Sequence, residues 1–236
     1  MPKSKRDKKI SLTKTSKKGK ALKEKVIEDV KLCVEKFQSV YVFTYKNMRT
    51  DKMQDIRQEW KPSRFFFGKN KVIGLGLGRT PEQEINDDLH KISKCLKGPC
   101  GLLFTDCEKK EVLEWFSDFS IEDYARSGFK VDVTIKLREG PLKQFPHSIE
   151  PYLRQLGMPT KLDKGVVTLV KDYEVCKEGS ILTPEQAKIL QLLDYKLAKF
   201  KLTLKACWIK GEGFEKFHLE DETEDQGMEE EECIDN

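Results

Sequence analysis

Residues Arg64–Lys71 read Arg-Phe-Phe-Phe-Gly-Lys-Asn-Lys. The three consecutive phenylalanines predict a buried strand, and the glycine after them predicts where it ends. The turn that follows places a lysine on either side of Asn70. A strand-to-helix turn presents free backbone amide groups and the positive end of a helix dipole, which together favour a phosphate group. We therefore interpret Gly68–Lys71 as a candidate anion site; an ordinary capped turn with solvated lysines would have the same sequence.

A second apolar strand follows about thirty residues later, where Gly101–Asp106 reads Gly-Leu-Leu-Phe-Thr-Asp, and Thr105 or Asp106 is expected to cap the next helix. Apolar spacing predicts further elements around these two strands. Up to about residue 124, strands alternate with helices, which is typical of an α/β layer with a largely parallel sheet. The predicted helices cover 19–37, 50–60, 70–77, 81–96 and 106–119, and the predicted strands cover 39–45, 64–67 and 101–104.

Glycine and proline become frequent beyond residue 125, and the regular alternation of strands and helices is lost. Short strands at 131–137 and 165–171 predict a small module over 126–182. Thr183-Pro184-Glu185-Gln186 matches a capping box with proline at the first helical position, which opens the next helix. Apolar residues then alternate with lysine and threonine over residues 200–208. This pattern predicts a half-buried strand with a basic outer face that returns to the first sheet.

The predicted organisation is therefore of the α/β class: a three-layer-like α/β domain interrupted by a small inserted α+β domain. With 236 residues and 38% hydrophobic content, the chain is long enough for a real core in each domain. The predicted divisions are a basic arm at 1–18, the α/β domain at 19–125 plus 183–218, the inserted domain at 126–182, and an acidic, disordered tail at 219–236.

The formal net charge of +4 hides a strong polarity along the chain. Residues 1–25 carry eleven Lys and Arg against two acidic residues, whereas residues 219–236 carry ten acidic residues and no Lys or Arg. Such a basic arm indicates a polyanion partner, because each phosphate that a lysine neutralises releases condensed counterions; a solvated terminus without a partner has the same composition. The arm also suits a nuclear-import signal, with candidate residues Lys3, Lys5, Arg6, Lys8 and Lys9.

The seven cysteines are scattered, with no Cys-x-x-Cys pair and no nearby histidine at zinc-ligand spacing, so we expect free thiols and no metal site. No apolar stretch of a signal peptide opens the chain, and no apolar run approaches the ~20 residues of a membrane span. The expected compartment is a reducing one, the cytoplasm or the nucleus, and no membrane partner is expected.

Catalysis has no clear signature in the sequence. Gly74, Gly76 and Gly78 lie inside a predicted helix and do not follow a strand directly, so we interpret them as close-packing positions and not as a dinucleotide fingerprint. The three histidines lie far apart, without a partner at triad or metal spacing. We assign the three tryptophans to packing. We expect no enzyme and no cofactor; an enzyme that acts on a nucleotide phosphate is an alternative.

The Gly-Lys-Asn turn and the Gly-(apolar)-Phe-Thr strand, in this order and at this separation, resemble the RNA-binding domain of the large-subunit ribosomal stalk protein P-zero, the L-ten family. The turn matches the family residue for residue except at Lys71, where the family commonly has threonine. Ala125–Gly128 resembles the family's entry to an inserted domain, and Leu156–Leu162 with Gly165 resembles the interior of that domain. The likeness covers about residues 19–208.

The resemblance implies a protein that binds folded ribosomal RNA through shape and phosphate contacts. The implied partners are the pre-60S particle, the stalk-base region of large-subunit rRNA and the neighbouring large-subunit ribosomal protein L12. Together with the charge of the arm, the resemblance predicts the RNA-binding residues Lys14, Lys17, Lys18, Lys20, Lys46, Arg49, Gly68, Lys69, Asn70 and Lys71.

The last part of the sequence departs from the stalk-protein pattern. Mature stalk proteins continue with amphipathic helices that bind acidic stalk dimers and close on a Gly-Phe-Gly-(apolar)-Phe-Asp motif, whereas no helix-length apolar pattern follows Gly213-Phe214 here. The sequence is therefore similar to ribosome-assembly factors related to P-zero. We expect a factor of the 60S subunit that holds pre-ribosomal RNA at the stalk base, binds no stalk dimers and is later replaced by P-zero. The expected location is the nucleus and nucleolus, with shuttling to the cytoplasm; the alternative is a mature stalk-type protein retained in translation.

Overall fold

The computed structural model describes residues 19–217, which divide into two compact units. The first unit contains residues up to 44, 54–116 and from 203 onward, and the second contains 45–53 and 117–202. Each unit has its own cluster of buried apolar side chains. The predicted basic arm and acidic tail lie outside the described residues.

Ten elements lie wholly or mainly in the first unit. In chain order they are α1 (Lys20–Lys36), β1 (Ser39–Lys46), α2 (Thr50–Glu59), β2 (Arg64–Phe66), α3 (Asn70–Leu77), α4 (Leu89–Cys95), β3 (Cys100–Thr105), α5 (Lys109–Asp118), and, after the second unit, β10 (Ala198–Ile209) and β11 (Gly213–Lys216). The alternation of strands and helices that the sequence predicts is therefore present, and α3 has its predicted bounds.

The prediction of a largely parallel sheet is wrong. The strand order is β11-β10-β1-β3-β2, and β3 pairs antiparallel with both β1 and β2. Because both neighbours run opposite to β3, β1 and β2 are parallel to each other, as a strand-helix-strand unit through α2 requires. β3 has inserted between them, which gives a split unit. Local sequence could not show this, because the two pairings join residues that are distant in the chain.

Helices pack on both faces of this sheet. On one face, Val40 and Val42 of β1 and Phe66 of β2 belong to the apolar cluster that includes buried residues of α1, α3 and α4. On the other face, the ring of Phe43 lies 5.7 Å from Phe65 and 5.8 Å from Phe116 of α5. Alternate strand residues thus point to opposite layers. The first unit is a three-layer α/β arrangement, as predicted.

The helix predicted over 81–96 is wrong in its first half, since α4 begins only at Leu89. The Glu84 carboxylate accepts hydrogen bonds from the backbone amides of Asp88 at 3.3 Å and His90 at 2.8 Å. Asp88 adopts φ +73°, a left-handed conformation that a helix interior does not allow. Side-chain hydrogen bonds to the backbone therefore replace the helical ones over this loop.

Thr105 and Asp106 do not cap α5, which is a second correction, because that helix begins at Lys109. The Thr105 hydroxyl accepts from the Cys107 amide at 3.1 Å, and the Asp106 carboxylate accepts from the Gln38 amide at 2.8 Å. Both side chains therefore bind the loops at the end of β3 and not the helix that follows.

The second unit consists of short elements. They are β4 (Ser120–Asp123), β5 (Ile135–Leu137), β6 (Gly140–Pro141), α6 (Glu150–Gln155), β7 (Thr160–Asp163), β8 (Val166–Leu169), β9 (Tyr173–Cys176) and α7 (Pro184–Leu192). β5 pairs with β9, and β8 lies between β6 and β7. The first residues of β10, which belong to this unit, pair with β4. The strand predicted at 131–137 is shorter than expected, because residue 131 instead bonds to the segment around residue 180.

Helix α7 begins with the predicted capping box. The Thr183 hydroxyl accepts from the Gln186 amide, and the Gln186 side chain accepts from the Thr183 amide at 3.0 Å. Its apolar residues Ala187, Ile189 and Leu190 are part of the buried cluster of the second unit. The sequence assigns this helix to the same domain as the first sheet, whereas its contacts place it with the second unit. Where the independently folding domains begin and end stays a prediction.

Candidate nucleic-acid interface

The Gly-Lys-Asn turn lies where β2 ends and α3 begins. Lys69 occupies the N-cap position in an extended conformation, and its carbonyl oxygen accepts from the amides of Val72 at 2.8 Å and Ile73 at 3.1 Å. The amides of Asn70 and Lys71, one turn too early for an intrahelical acceptor, lie at the positive end of the helix. The turn therefore has the geometry that the sequence predicts for an anion site.

The two lysines of the turn are exposed and not neutralised. Within residues 19–217, no carboxylate oxygen lies within 4.0 Å of the ammonium group of Lys69 or Lys71. The carbonyl oxygen of Lys71 accepts from the Arg79 guanidinium at 3.0 Å, which adds a third cation near this turn. Such a cationic surface favours a partner with many phosphates.

Asn70 does not cap α3, although the sequence allowed that role. Its side-chain amide donates to the carbonyl oxygen of Gly98 at 2.9 Å, and its side-chain oxygen accepts from the Cys100 thiol, with 3.4 Å between the atoms. Asn70 therefore ties the turn to the loop of residues 96–99, between α4 and β3. The asparagine of the motif positions a neighbouring segment.

Two further lysines lie at this loop, and the sequence analysis missed both. Lys97 belongs to the loop itself, and its carbonyl oxygen accepts from the ammonium group of Lys205 at 3.5 Å. Lys205 is on the face of β10 that the alternating pattern predicts to be basic. That alternation was an available signal for Lys205, whereas nothing in the local sequence places Lys97 beside the turn.

The pKa of the Cys95 thiol reports the same cluster of charge. Burial raises this pKa, and the positive charges of Lys216, Lys205 and Lys97 oppose the rise. The three lysines come from β11, β10 and the loop, so three separate chain segments bring cations to one part of the first unit.

The start of α1 also lies beside the turn. A groove of about 420 Å³ is bounded by Leu22, Lys23 and Val26 of α1 and by Phe67, Gly68 and Lys69. Lys20, at the first position of α1, is an exposed residue whose ammonium group lies 3.6 Å from the Glu24 carboxylate. An exposed pair of this kind contributes little stability and leaves Lys20 accessible. Lys14, Lys17, Lys18 and the five residues of the predicted import signal lie outside the described residues.

Lys46 and Arg49 belong to the second unit. Lys46 is exposed. Arg49 is largely covered, with its Nε 2.7 Å from the Asp123 carboxylate, and it also donates to the carbonyl oxygen of Tyr124. Its charge is thus neutralised within the protein, so the arrangement supports a packing role for Arg49. An RNA contact by either residue stays a prediction.

The described residues hold no assembled catalytic or metal-binding constellation. The Nδ1 atom of His90 lies 2.9 Å from the Glu84 carboxylate, in the loop before α4. Across the described part of the chain, no three His, Cys, Asp or Glu side chains are grouped so that they could hold a metal ion. The six cysteines between residues 19 and 217 are free thiols. None of the helices in this range combines the length and apolar character that crossing a membrane requires.

The tryptophans pack, as predicted. Trp60 and Trp208 are buried, and the indole nitrogen of Trp208 donates to the carbonyl oxygen of Asp87 at 2.9 Å. Trp115 is half-buried, with its ring centroid 5.0 Å from that of Trp60. These rings are therefore engaged in the protein and do not form an exposed base-stacking platform.

Comparison with known families gives two matches that together cover most of the described chain. A family model described as ribosomal protein L10 matches residues 18–120. A second model, described as the insertion domain in the 60S ribosomal protein of this L10 family, matches residues 125–194. The layered α/β unit with its cationic turn, followed by an inserted region, thus defines a protein of the ribosomal L10 class.

Relatives within this class distinguish two groups. Ribosome assembly factor mrt4 of Dictyostelium discoideum is 41% identical over 212 residues, which cover 90% of this chain and 95% of that protein. Its counterpart from Schizosaccharomyces pombe is 39% identical, over 89% of this chain and 92% of that protein. Large ribosomal subunit protein uL10x of Arabidopsis thaliana is only 26% identical, and the match covers 64% of it. The chain therefore belongs to the Mrt4 family of ribosome assembly factors.

Proposed function

We propose that the protein is an assembly factor of the large ribosomal subunit that binds pre-ribosomal RNA at the stalk base and is later replaced by the stalk protein P-zero. The observation that carries this proposal is the pair of exposed lysines at the start of α3, which have no carboxylate partner among the described residues. Cations left unpaired at a helix N-terminus suit a ligand that brings its own negative charge.

The proposed partner is folded RNA, held mainly by contacts to its phosphates. Lysine ammonium groups and backbone amides position a nucleic acid but do not read its sequence. Shape selects the site, as is usual for structured RNA. The proposed contacts are Gly68 to Lys71 in the turn, Lys20 at the start of α1, and the basic arm with Lys14, Lys17 and Lys18. The role is one of binding and positioning, without catalysis.

The family supports an assembly factor over a mature stalk-type protein. Identity is 41% and 39% with two proteins named as assembly factors, against 26% with a mature uL10. Such a factor would occupy the stalk base on the pre-60S particle, next to ribosomal protein L12, and leave before translation. It would act in the nucleus and nucleolus, pass to the cytoplasm with the particle, and bind no stalk dimers.

Two measurements test the proposal. The purified full chain should bind the isolated stalk-base fragment of large-subunit rRNA at low ionic strength, and a protein that ignores this fragment would not have the proposed function. In sedimented cell extracts, the protein should travel with pre-60S particles and be absent from polysomes. Recovery on polysomes would instead support a mature stalk-type protein.

A further inference from the structure

We propose that Lys97 and Lys205 extend the RNA-binding surface beyond the Gly-Lys-Asn turn, and that Asn70 is a positioning residue that joins the two parts. The ligand class is the phosphate backbone of a folded RNA. The identity of that RNA rests on the proposed function, whereas the lysine surface and the role of Asn70 rest on the geometry of the first unit.

The lysine surface, defined here as Lys69, Lys71, Lys97 and Lys205, comes from three chain segments. Among the residues that the structure describes, none of these four ammonium groups has a carboxylate oxygen within 4.0 Å. Unneutralised like charges repel one another and destabilise the compact state. A polyanion removes this penalty and gains the free energy of counterion release. The surface is therefore best explained by a ligand with several phosphates.

Asn70 connects these segments through both polar atoms of its side chain. The amide nitrogen donates to Gly98 at 2.9 Å, and the oxygen accepts from Cys100, a buried residue at the start of β3. Gly98 has φ +69°, so the loop reverses at a position that favours glycine. The position of the loop thus depends on one side chain of the turn. Lys97, directly before Gly98, is carried with it.

Lys205 joins the surface through the same loop. Its ammonium group donates to the carbonyl oxygen of Lys97 at 3.5 Å, a long contact that holds its side chain over the loop and leaves the charge available. Lys97 and Lys205, together with Lys216, also oppose the rise that burial causes in the pKa of the Cys95 thiol. This effect confirms that the charges lie close together, independently of the hydrogen bonds.

The first experiment measures how affinity depends on salt. Lys97→Gln with Lys205→Gln is compared with the full chain and with Lys61→Gln and Lys110→Gln, a control pair of exposed lysines beside β2 and on α5, in the same unit. Each lost phosphate contact lowers the slope of log K against log salt by about 0.7–1. The test pair should therefore lose about 1.5–2 of slope, and the control pair should lose none.

Two probes keep this inference apart from the proposed function. One is the stalk-base fragment of large-subunit rRNA, and the other is an unrelated double-stranded RNA. A loss of slope on both probes, with no preference for the fragment, supports the lysine surface and contradicts the proposed function. Equal slopes for the test pair and the control pair on both probes overturn the inference.

The second experiment tests the role of Asn70 with a double-mutant cycle. If Asn70 acts by holding Lys97, then Asn70→Ala removes the benefit of Lys97, and Asn70→Ala with Lys97→Gln should have the affinity and salt slope of the weaker single variant. Additive losses overturn the positioning role. Should Asn70→Ala prove too unstable for binding measurements, Asn70→Ser, which is too short to reach Gly98, gives the same cycle.

Discussion

Gly76 of α3 lies directly against Val30 of α1, so closely that a Cβ atom at position 76 would be 2.9 Å from the Cβ of Val30. The sequence predicted a close-packing role for the glycines of this helix, and Gly76 confirms it. Because α3 carries the cationic turn at its other end, this contact fixes the helix on which the site is built.

We predict that Gly76→Ala destabilises the protein. The added methyl group has no room beside Val30, and overpacking of this kind costs roughly 1–3 kcal/mol, more than the ~1 kcal/mol that alanine gains in helix propensity. Denaturant unfolding gives the free energy of unfolding that decides the question.

A control lies two residues earlier in the same helix. A Cβ at Gly74 would meet only the Cβ of Ser93 at 3.6 Å, an ordinary contact. Gly74→Ala should therefore be neutral or stabilising by up to about 1 kcal/mol. Equal effects at both positions would contradict the close-approach argument.

The loop before α4 should make stability depend on pH through Glu84. Burial alone would raise the pKa of this carboxyl, but the amide and ring of His90 and the amide of Asp88 donate to it and lower the pKa overall. A lowered folded-state pKa gives stability that is present above the unfolded value and is lost as pH falls through the folded value. Glu84→Gln should cost about 1–3 kcal/mol at neutral pH and flatten this acid-side loss.

The matched control for this prediction is Glu82→Gln, at an exposed carboxyl of the same loop. The measurement is the free energy of unfolding between pH 3 and pH 7 for both variants and the unaltered chain. An acid-side loss as steep in Glu84→Gln as in the unaltered chain would assign the pH dependence to other groups.

The capping box of α7 should stabilise the second unit. Removing the Thr183 hydroxyl leaves the Gln186 amide without its acceptor, so Thr183→Ala should cost about 1 kcal/mol. Thr183→Ser retains the hydroxyl and serves as the control. Thermal unfolding of both variants checks the prediction, which fails if alanine and serine melt together.

Local patterns in the sequence predicted the features that depend on neighbouring residues. The bounds of α3 and the capping box at Thr183 follow from spacing and from the chemistry of a few adjacent side chains, and both are confirmed. The turn at Gly68–Lys71 likewise lies where the strand signal ends and the helix begins.

Long-range arrangement could not be predicted in the same way. The antiparallel insertion of β3 between β1 and β2 depends on pairing between residues such as Ser39 and Thr105. The lysine surface depends on contacts across 28 residues between Asn70 and Gly98 and across 108 residues between Lys97 and Lys205. No periodic pattern encodes such contacts, so the site appeared in the sequence as one motif and in the structure as several segments.

Replacement of the two lysines in the turn tests the site most directly. Lys69→Ala with Lys71→Ala should weaken binding to the stalk-base rRNA fragment and lower the salt slope by about 1.5–2, because two phosphate contacts are lost. Both side chains are exposed and bear no described ion pair, so the free energy of unfolding should change little. Fluorescence anisotropy across a salt series measures affinity and slope together.

The matched control keeps the charge and changes the shape. Lys69→Arg with Lys71→Arg should retain most of the slope, since an arginine also neutralises a phosphate. In cells, the alanine pair should be depleted from pre-60S fractions and the arginine pair retained. A salt slope that stays unchanged in the alanine pair would remove these lysines from the RNA interface, and binding that survives at full affinity would move the site away from the turn.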